Sequence, residues 1–458
     1  MSRRIHRRSI LIQPRDLALP TMFPSRVLPS LLLLVLVSTK IHALAPVVII
    51  PGVVSSILEA KLTDATHLPF GCRATTQDWY TIWVSSAQTF GRLGCMGNHM
   101  TLNYNTSSQC AVSKPGVNMR VKDYGNVTCC DVLNPQDTLL PKIAIFQPFS
   151  DFLRKNGYQD GTTLRAAPYD FRLYGDPCFN IVYFTKLKTI IEQTYNNQNQ
   201  QRVVLISHSM GGPVIHQFLA SSVVTPEWKA MYIARFIAIA SPFSGTPEGL
   251  REYITGQVSA AYGNWIPGII ADPVSIAFRS WPATISLLPM ETTNTSSVRN
   301  RAWDNITLVS TPSQNYTGTN YGQNVADVLT IVANASAEAK LGIVYWTQQE
   351  RMRQNVLNKG PGVLTNCLYL TDVNTPIGAV FADDTMTKQT EVLYGSGDGT
   401  VAAVSTRASC QEWRERKMVV NEGFDVTLDS FALGKHVNHH TILGAKEILE
   451  RVGILLEL

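Results

Sequence analysis

Val203-Val204-Leu205-Ile206-Ser207-His208-Ser209-Met210-Gly211-Gly212 is the stretch on which the reading of this 458-residue chain turns. Four consecutive β-branched or leucine residues predict a strand buried on both faces. A small residue, a histidine, a serine, one further residue and a glycine follow. Pro213-Val214-Ile215-His216-Gln217-Phe218-Leu219 then continues as a helix. Strand, tight turn and helix with serine at the apex is the nucleophile elbow of α/β-hydrolases. Strand and helix approach closely at such a turn, so its ends must be small; Ser207 and Gly211 meet that need. Taken alone, the same five residues also describe a Ser/Gly turn of the kind any α/β protein contains.

The elbow gains weight from what surrounds it. Pro46-Val47-Val48-Ile49-Ile50 predicts another buried strand and runs into Pro51-Gly52-Val53. In a hydrolase of this kind that loop supplies half of the oxyanion hole, through the Val53 N–H, and the residue after the nucleophile, Met210, supplies the other half. Phe149–Tyr158 and Phe184–Tyr195 read as helices. Phe236-Ile237-Ala238-Ile239-Ala240 reads as a further buried strand, and Leu368-Tyr369-Leu370 and Glu391-Val392-Leu393-Tyr394 as late ones. This alternation predicts an α/β fold with a mostly parallel central sheet and helices on both faces.

Chain order in this fold runs serine, acid, histidine. Asp398 follows a strand in Gly395-Ser396-Gly397-Asp398-Gly399-Thr400-Val401, on a glycine-flanked turn from which a carboxylate can orient an imidazole. A D-G pair is equally an ordinary turn. Three histidines remain downstream, His436, His439 and His440. A last helix over about Thr441–Val452 puts His439 and His440 in or beside its first turn and leaves His436 on the preceding loop. His436 is therefore the expected base. His208, inside the elbow, is expected to be a structural neighbour.

Residues 1–45 read as a signal peptide: arginines at 3, 4, 7 and 8, the apolar run Leu31–Val37, and a cleavage site at Ala43-Leu44-Ala45. The run is too short to span a bilayer as a helix. The whole chain carries a formal charge of +5, but residues 46–458 hold 32 Lys+Arg against 33 Asp+Glu. The basic excess belongs to the leader, and no basic patch points to nucleic acid. All eight cysteines, at 72, 95, 110, 129, 130, 178, 367 and 410, follow the leader. An even number behind a secretory signal predicts disulfides, and the absence of a CxxC pair argues against a zinc site. No metal or other cofactor is expected. Six N-x-S/T sequons, at Asn105, Asn126, Asn294, Asn305, Asn315 and Asn334, fit a glycoprotein that is secreted or lysosomal/endosomal.

Two segments interrupt the hydrolase domain over 46–458. Between Cys72 and Cys95 lie Trp79, Tyr80, Ile82, Trp83 and Phe90. A disulfide closing this loop of about 24 residues would stabilise the fold by roughly 3 kcal/mol in the chain-entropy model. Its aromatics, Trp79, Tyr80 and Trp83 above all, form either a local core or a patch that dips into a lipid surface. Residues 96–142 are polar and read as a surface insertion; Cys129 and Cys130, being adjacent, need different partners, and Cys110 and Cys178 are the candidates. Residues 247–345 hold four sequons and the tryptophans Trp265, Trp281 and Trp303, with Gly256, Gly263 and Gly268 as possible hinges. They read as a cap and lid inserted between sheet strands.

Taken together, these segments resemble the lecithin–cholesterol acyltransferase and lysosomal phospholipase A2 (group XV) family from about Pro46 to the C-terminus. The resemblance is carried by Pro51-Gly52 through Leu58-Glu59-Ala60-Lys61-Leu62, Tyr80-Thr81-Ile82-Trp83, Ala167-Pro168-Tyr169-Asp170-Phe171-Arg172 and Ser207-His208-Ser209-Met210-Gly211. Ala240-Ser241-Pro242-Phe243-Ser244-Gly245, Gly397-Asp398-Gly399-Thr400-Val401 and His436-Val437 complete it. It implies that the 72–95 loop is a membrane-binding subdomain, with Trp79, Tyr80 and Trp83 as its lipid-contacting residues, and that Cys367 and Cys410 form a disulfide. It further implies that Ser209, Asp398 and His436 are a catalytic triad and that Val53 and Met210 are the oxyanion hole. The family cleaves acyl chains from glycerophospholipids and passes them to water or a lipid alcohol, at a membrane or lipoprotein surface. The chain departs from it at Val53, where the lysosomal member carries aspartate, and at Phe171, where the family has tryptophan. The expected function is thus a serine-dependent phospholipase A with transacylase capacity. A phosphatidylcholine–sterol O-acyltransferase and a catalytically dead lipid-binding glycoprotein are the alternatives.

Overall fold

Six strands form one all-parallel sheet, and its order explains where a site can form. In chain order they are β1 (Val47–Ile50), β2 (Leu164–Ala166), β3 (Val203–His208), β4 (Ile233–Ile239), β5 (Thr365–Leu370) and β6 (Val426–Phe431). Across the sheet they run β6-β5-β4-β3-β1-β2, every neighbouring pair parallel. The chain winds one way from β1 to β2, then crosses over β1 and winds the other way from β3 onward. The loops after β1 and β3 therefore diverge, and a crevice opens between them at the carboxyl ends of the strands. This is the α/β-hydrolase fold. It is described here from a computed structural model that covers residues 44–86, 93–257, 275–290, 302–319, 321–334, 336–357, 359–420 and 424–458. The expected leader lies outside these residues except for Leu44 and Ala45, as do Phe90, Gly263, Trp265, Gly268 and Asn294.

The sheet is the core. β1, β3 and β5 are buried along their whole length, as strands of a parallel sheet covered on both faces should be. Helix α1 (Pro177–Asn197) begins seven residues earlier than the apolar spacing suggested. Asp176 caps it by accepting from the Cys178 and Phe179 N–H groups, and Pro177 fills the first turn, where no backbone donor is needed. Helix α2 (Gly211–Ala220) follows β3 directly, α3 (Ala403–Val420) packs on β5 and β6, and α4 (Lys446–Leu456) closes the chain. The expected strand at Glu391–Tyr394 exists, as Gln389–Gly397, but belongs to a second, four-stranded sheet, where it pairs antiparallel with Val373–Phe381.

Three disulfides join these elements. Cys72–Cys95 staples the aromatic loop, Cys367–Cys410 ties β5 to α3, and Cys110–Cys178 ties strand Cys110–Ser113 to the first turn of α1. Cys129 and Cys130 stay free and fully buried, contrary to the expectation that each would find a partner. Their surroundings correct the reading of 96–142 as a surface insertion. Strand Val117–Val121 pairs with strand Leu58–Leu62, and Val127, Cys129, Cys130 and Leu133 have no exposed surface. Asn105, Asn305, Asn315 and Asn334 are exposed, whereas Asn126 is half-buried and caps the short turn Val127–Cys129.

The stapled loop separates the three aromatics assigned to lipid contact. Trp83 is fully buried: its indole donates to the Val54 carbonyl at 2.8 Å, and its ring packs edge-on against Phe171. It is a core residue and is withdrawn from the lipid-facing set. Tyr80 is half-buried with its hydroxyl 3.3 Å from His99 Nδ1, and Trp79 lies beneath the Arg120 guanidinium. Fully exposed instead is Phe70, two residues before Cys72. Among the described residues no helix is long and apolar enough to cross a membrane.

Candidate active site

Ser209 occupies the turn between β3 and α2 with φ = +54°, a left-handed conformation that a serine adopts only when its surroundings enforce it. Two contacts do so. A Cβ on Gly211 would lie 2.3 Å from the Ile50 carbonyl oxygen, so only glycine lets α2 approach the end of β1 this closely. A Cβ on Gly52 would stand 2.8 Å from the Ser209 Cβ, so the loop after β1 passes directly over the serine. These close approaches hold the hydroxyl at the floor of the crevice.

The hydroxyl meets a histidine there, but not the expected one. Ser209 Oγ donates to His439 Nε2 at 2.9 Å, and His439 Nδ1 donates to Asp398 Oδ2 at 2.7 Å. His436 is exposed on the same loop, with its carbonyl accepting from the Thr441 hydroxyl. The error lies in the helix boundary. α4 starts at Lys446, not near Thr441, and Ile442–Gly444 form a separate short turn. His439 thus sits on the loop, free to point inward. Glu447 in the first turn is the one sequence signal for the later start, since Ala445 at the cap offers no side-chain acceptor.

Asp398 is fixed on both of its oxygens. Oδ1 accepts from the Thr400 N–H at 2.9 Å and the Val401 N–H at 2.6 Å, which leaves Oδ2 for the imidazole. The Asp398 carbonyl also accepts from the His439 backbone N–H, so acid and base are joined twice. His208 holds the base from below. Its Nε2 donates to the His439 carbonyl at 2.9 Å and its ring lies 4.7 Å from the His439 ring. Burial and the neighbouring imidazole hold its pKa well below the usual histidine value, so it is neutral and supports the loop, as expected of a structural neighbour.

Four consecutive carbonyls of the loop after β1 are engaged. Pro51 O accepts from the Tyr169 hydroxyl, Gly52 O from the Ser55 N–H, Val53 O from the Ser55 hydroxyl, and Val54 O from the Trp83 indole. The loop is thereby held rigid beside Ser209. Met210 precedes the first residue of α2, whose leading N–H groups have no intrahelical partner and carry the positive end of the helix dipole. Nothing in the sequence marks Tyr169 and Trp83 as fasteners of this loop, because each acts across a long chain separation. Around the serine the crevice is narrow, about 40 Å³, with Val54, Ile145, Pro242, Leu287 and Val401 as apolar walls and His440 at the rim. Acid, base and hydroxyl at these distances can carry out acyl transfer through a covalent acyl-serine.

Comparison with known proteins agrees with this chemistry. The family model "Lecithin:cholesterol acyltransferase" matches residues 79–445. A bovine "Lysosomal phospholipase A and acyltransferase" is 30% identical over 81% of this chain and 83% of its own. A chicken "Phosphatidylcholine-sterol acyltransferase" is 29% identical over 81% and 82%. An Arabidopsis thaliana "Lecithin-cholesterol acyltransferase-like 1" is 26% identical over 90% of each.

Proposed function

The chain belongs to the lecithin:cholesterol acyltransferase family, and from that premise we propose that it deacylates glycerophospholipids through Ser209 and passes the acyl group to water or a lipid alcohol. The observation that carries this reading is the unbroken chain from Ser209 Oγ through His439 to Asp398. His439 Nε2 takes the hydroxyl proton as Ser209 Oγ attacks the ester carbonyl. Asp398 Oδ2 stabilises the imidazolium and keeps its ring in register. The N–H groups of Met210 and Val53 are the donors proposed for the oxyanion, each worth roughly 3 kcal/mol of the barrier. Collapse breaks the ester bond, and His439 gives its proton to the departing lipid alkoxide. Water or an acceptor alcohol then resolves the acyl-serine by the same route in reverse.

The acceptor sets hydrolase apart from sterol acyltransferase, and the relatives carry both names. Deacylation is the principal reading because water needs no further site. The protein is placed in the secretory route, as a secreted or lysosomal enzyme; the three disulfides support passage through an oxidising compartment. Lipid contact is assigned to the stapled loop together with exposed Phe70 just before it, without Trp83, and the cap role to residues 247–345. The test is release of fatty acid from phosphatidylcholine vesicles together with labelling by a fluorophosphonate. Wild type should do both and Ser209→Ala neither, at unchanged melting temperature. Wild-type turnover in Ser209→Ala, or an unlabelled wild-type enzyme, refutes the assignment.

A further inference from the structure

A second groove, about 710 Å³, lies away from the crevice and shares none of its lining residues. It runs between strand Val117–Val121, the edge strand β2 and the outer face of α1. Its floor is aromatic: Phe179 and Tyr183 stack at 5.5 Å with nearly parallel rings, and Tyr169 lies 5.1 Å from Tyr183. Val182, more than half exposed, stands at its rim on α1.

The charges at this groove do not balance. Asp170 is taken up by Arg172 at 2.7 Å, and Arg120 by Glu59 at 2.7 Å. Arg165, half-buried in the wall, reaches the neutral Thr194 hydroxyl at 3.3 Å, and its buried Nε has no hydrogen-bond partner. Among the described residues no carboxylate pairs with Arg165 or with Lys186, which is exposed on the same side. A half-buried guanidinium without a counter-ion is unfavourable, and its planar fork matches a carboxylate. An aromatic trough running away from such a cation is complementary to an amphiphile with one anionic head and one apolar tail.

We propose that this groove binds a long-chain fatty acid, its carboxylate on Arg165 and Lys186 and its chain along Tyr169, Phe179 and Tyr183. The inference does not rest on the catalytic reading, since no triad residue takes part. Tyr169 joins the groove to the catalytic loop, because its hydroxyl also holds the Pro51 carbonyl beside Ser209.

The test uses the full-length protein with Ser209 first capped by a fluorophosphonate, and a fluorescent stearic acid as probe. Saturable binding of one probe per chain is expected. Arg165→Gln should weaken it about tenfold or more, and Lys186→Gln by less. Val182→Asp, a change at an exposed helix position, should weaken it similarly by placing a carboxylate at the rim. The methyl ester of the probe should bind at least about tenfold more weakly than the acid. Three results would each overturn the proposal. Capping Ser209 abolishes binding, which puts the probe in the crevice. Arg165→Gln and Val182→Asp, both folded by circular dichroism, bind as wild type does. Vesicles of anionic phospholipid, but not the free acid, show the dependence on Arg165, which makes the patch a membrane contact.

Discussion

Replacing Asp398 by asparagine isolates the electrostatic part of the site with little disturbance of its shape. Oδ1 already accepts two backbone N–H groups, from Thr400 and Val401, so the amide oxygen of the asparagine must take that position. Its NH2 then faces His439 Nδ1, where the carboxylate oxygen now accepts at 2.7 Å. Two donors cannot face each other, so Nδ1 loses its proton and Nε2 gains one. The nitrogen that should receive the serine proton is then already protonated. General-base catalysis fails and no carboxylate remains to stabilise an imidazolium; loss of this kind lowers kcat by about 10⁴-fold, or about 5 kcal/mol of barrier at 1.36 kcal/mol per decade. KM should hardly change, because Asp398 does not line the crevice. The assay is initial-rate fatty-acid release from phosphatidylcholine vesicles, with the rate of fluorophosphonate labelling falling in parallel. A fall in kcat of less than tenfold, in a variant that melts like wild type, refutes the proposed roles of Asp398 and His439.

Three further outcomes are expected. His439→Ala should lower deacylation by about 10⁴-fold or more, whereas His436→Ala, at an exposed position, should stay within about threefold; equal losses in the two would contradict the loop geometry. Removing the Cys367–Cys410 bridge, which spans 43 residues, should cost about 4 kcal/mol in the chain-entropy model, read as a lower denaturant midpoint for Cys367→Ala/Cys410→Ala. Glu412, buried beside Arg416, has its pKa pushed up by burial from the usual 4.5 to about 7. Its folded form retains the proton longer than the unfolded chain does, so its stabilising contribution is full at acidic pH and is lost as pH rises from about 4.5 to about 7. Melting temperatures across that window should fall less in Glu412→Gln than in wild type.

The parts of the fold written in continuous apolar runs were legible in the sequence. Val47–Ile50, Val203–Ile206 and Phe236–Ile239 are each buried on both faces, as their unbroken apolar runs predict. The edge strand Leu164-Arg165-Ala166 was not legible, because three residues with a central arginine form no pattern. The triad was legible as far as local turns determine it, at Ser209 and Asp398. The base was missed because choosing among His436, His439 and His440 depends on where the last helix starts, and an offset of five residues turns a different imidazole inward. Trp83 was misassigned because tryptophan composition favours a lipid surface and a core alike. Only its reach to the Val54 carbonyl, across the chain, decides between them.

The two unpaired thiols at Cys129 and Cys130 have a practical consequence. Neither has any exposed surface, burial pushes the Cys130 thiol well above its ordinary pKa, and the Cys129 carbonyl accepts from the Ile57 N–H just beyond the loop at Ser209. A thiol reagent can reach them only when the chain opens there. With the other six cysteines oxidised, the protein contains its own clock: the rate at which two equivalents of reagent are consumed reports how often the segment bonded to Ile57 comes apart.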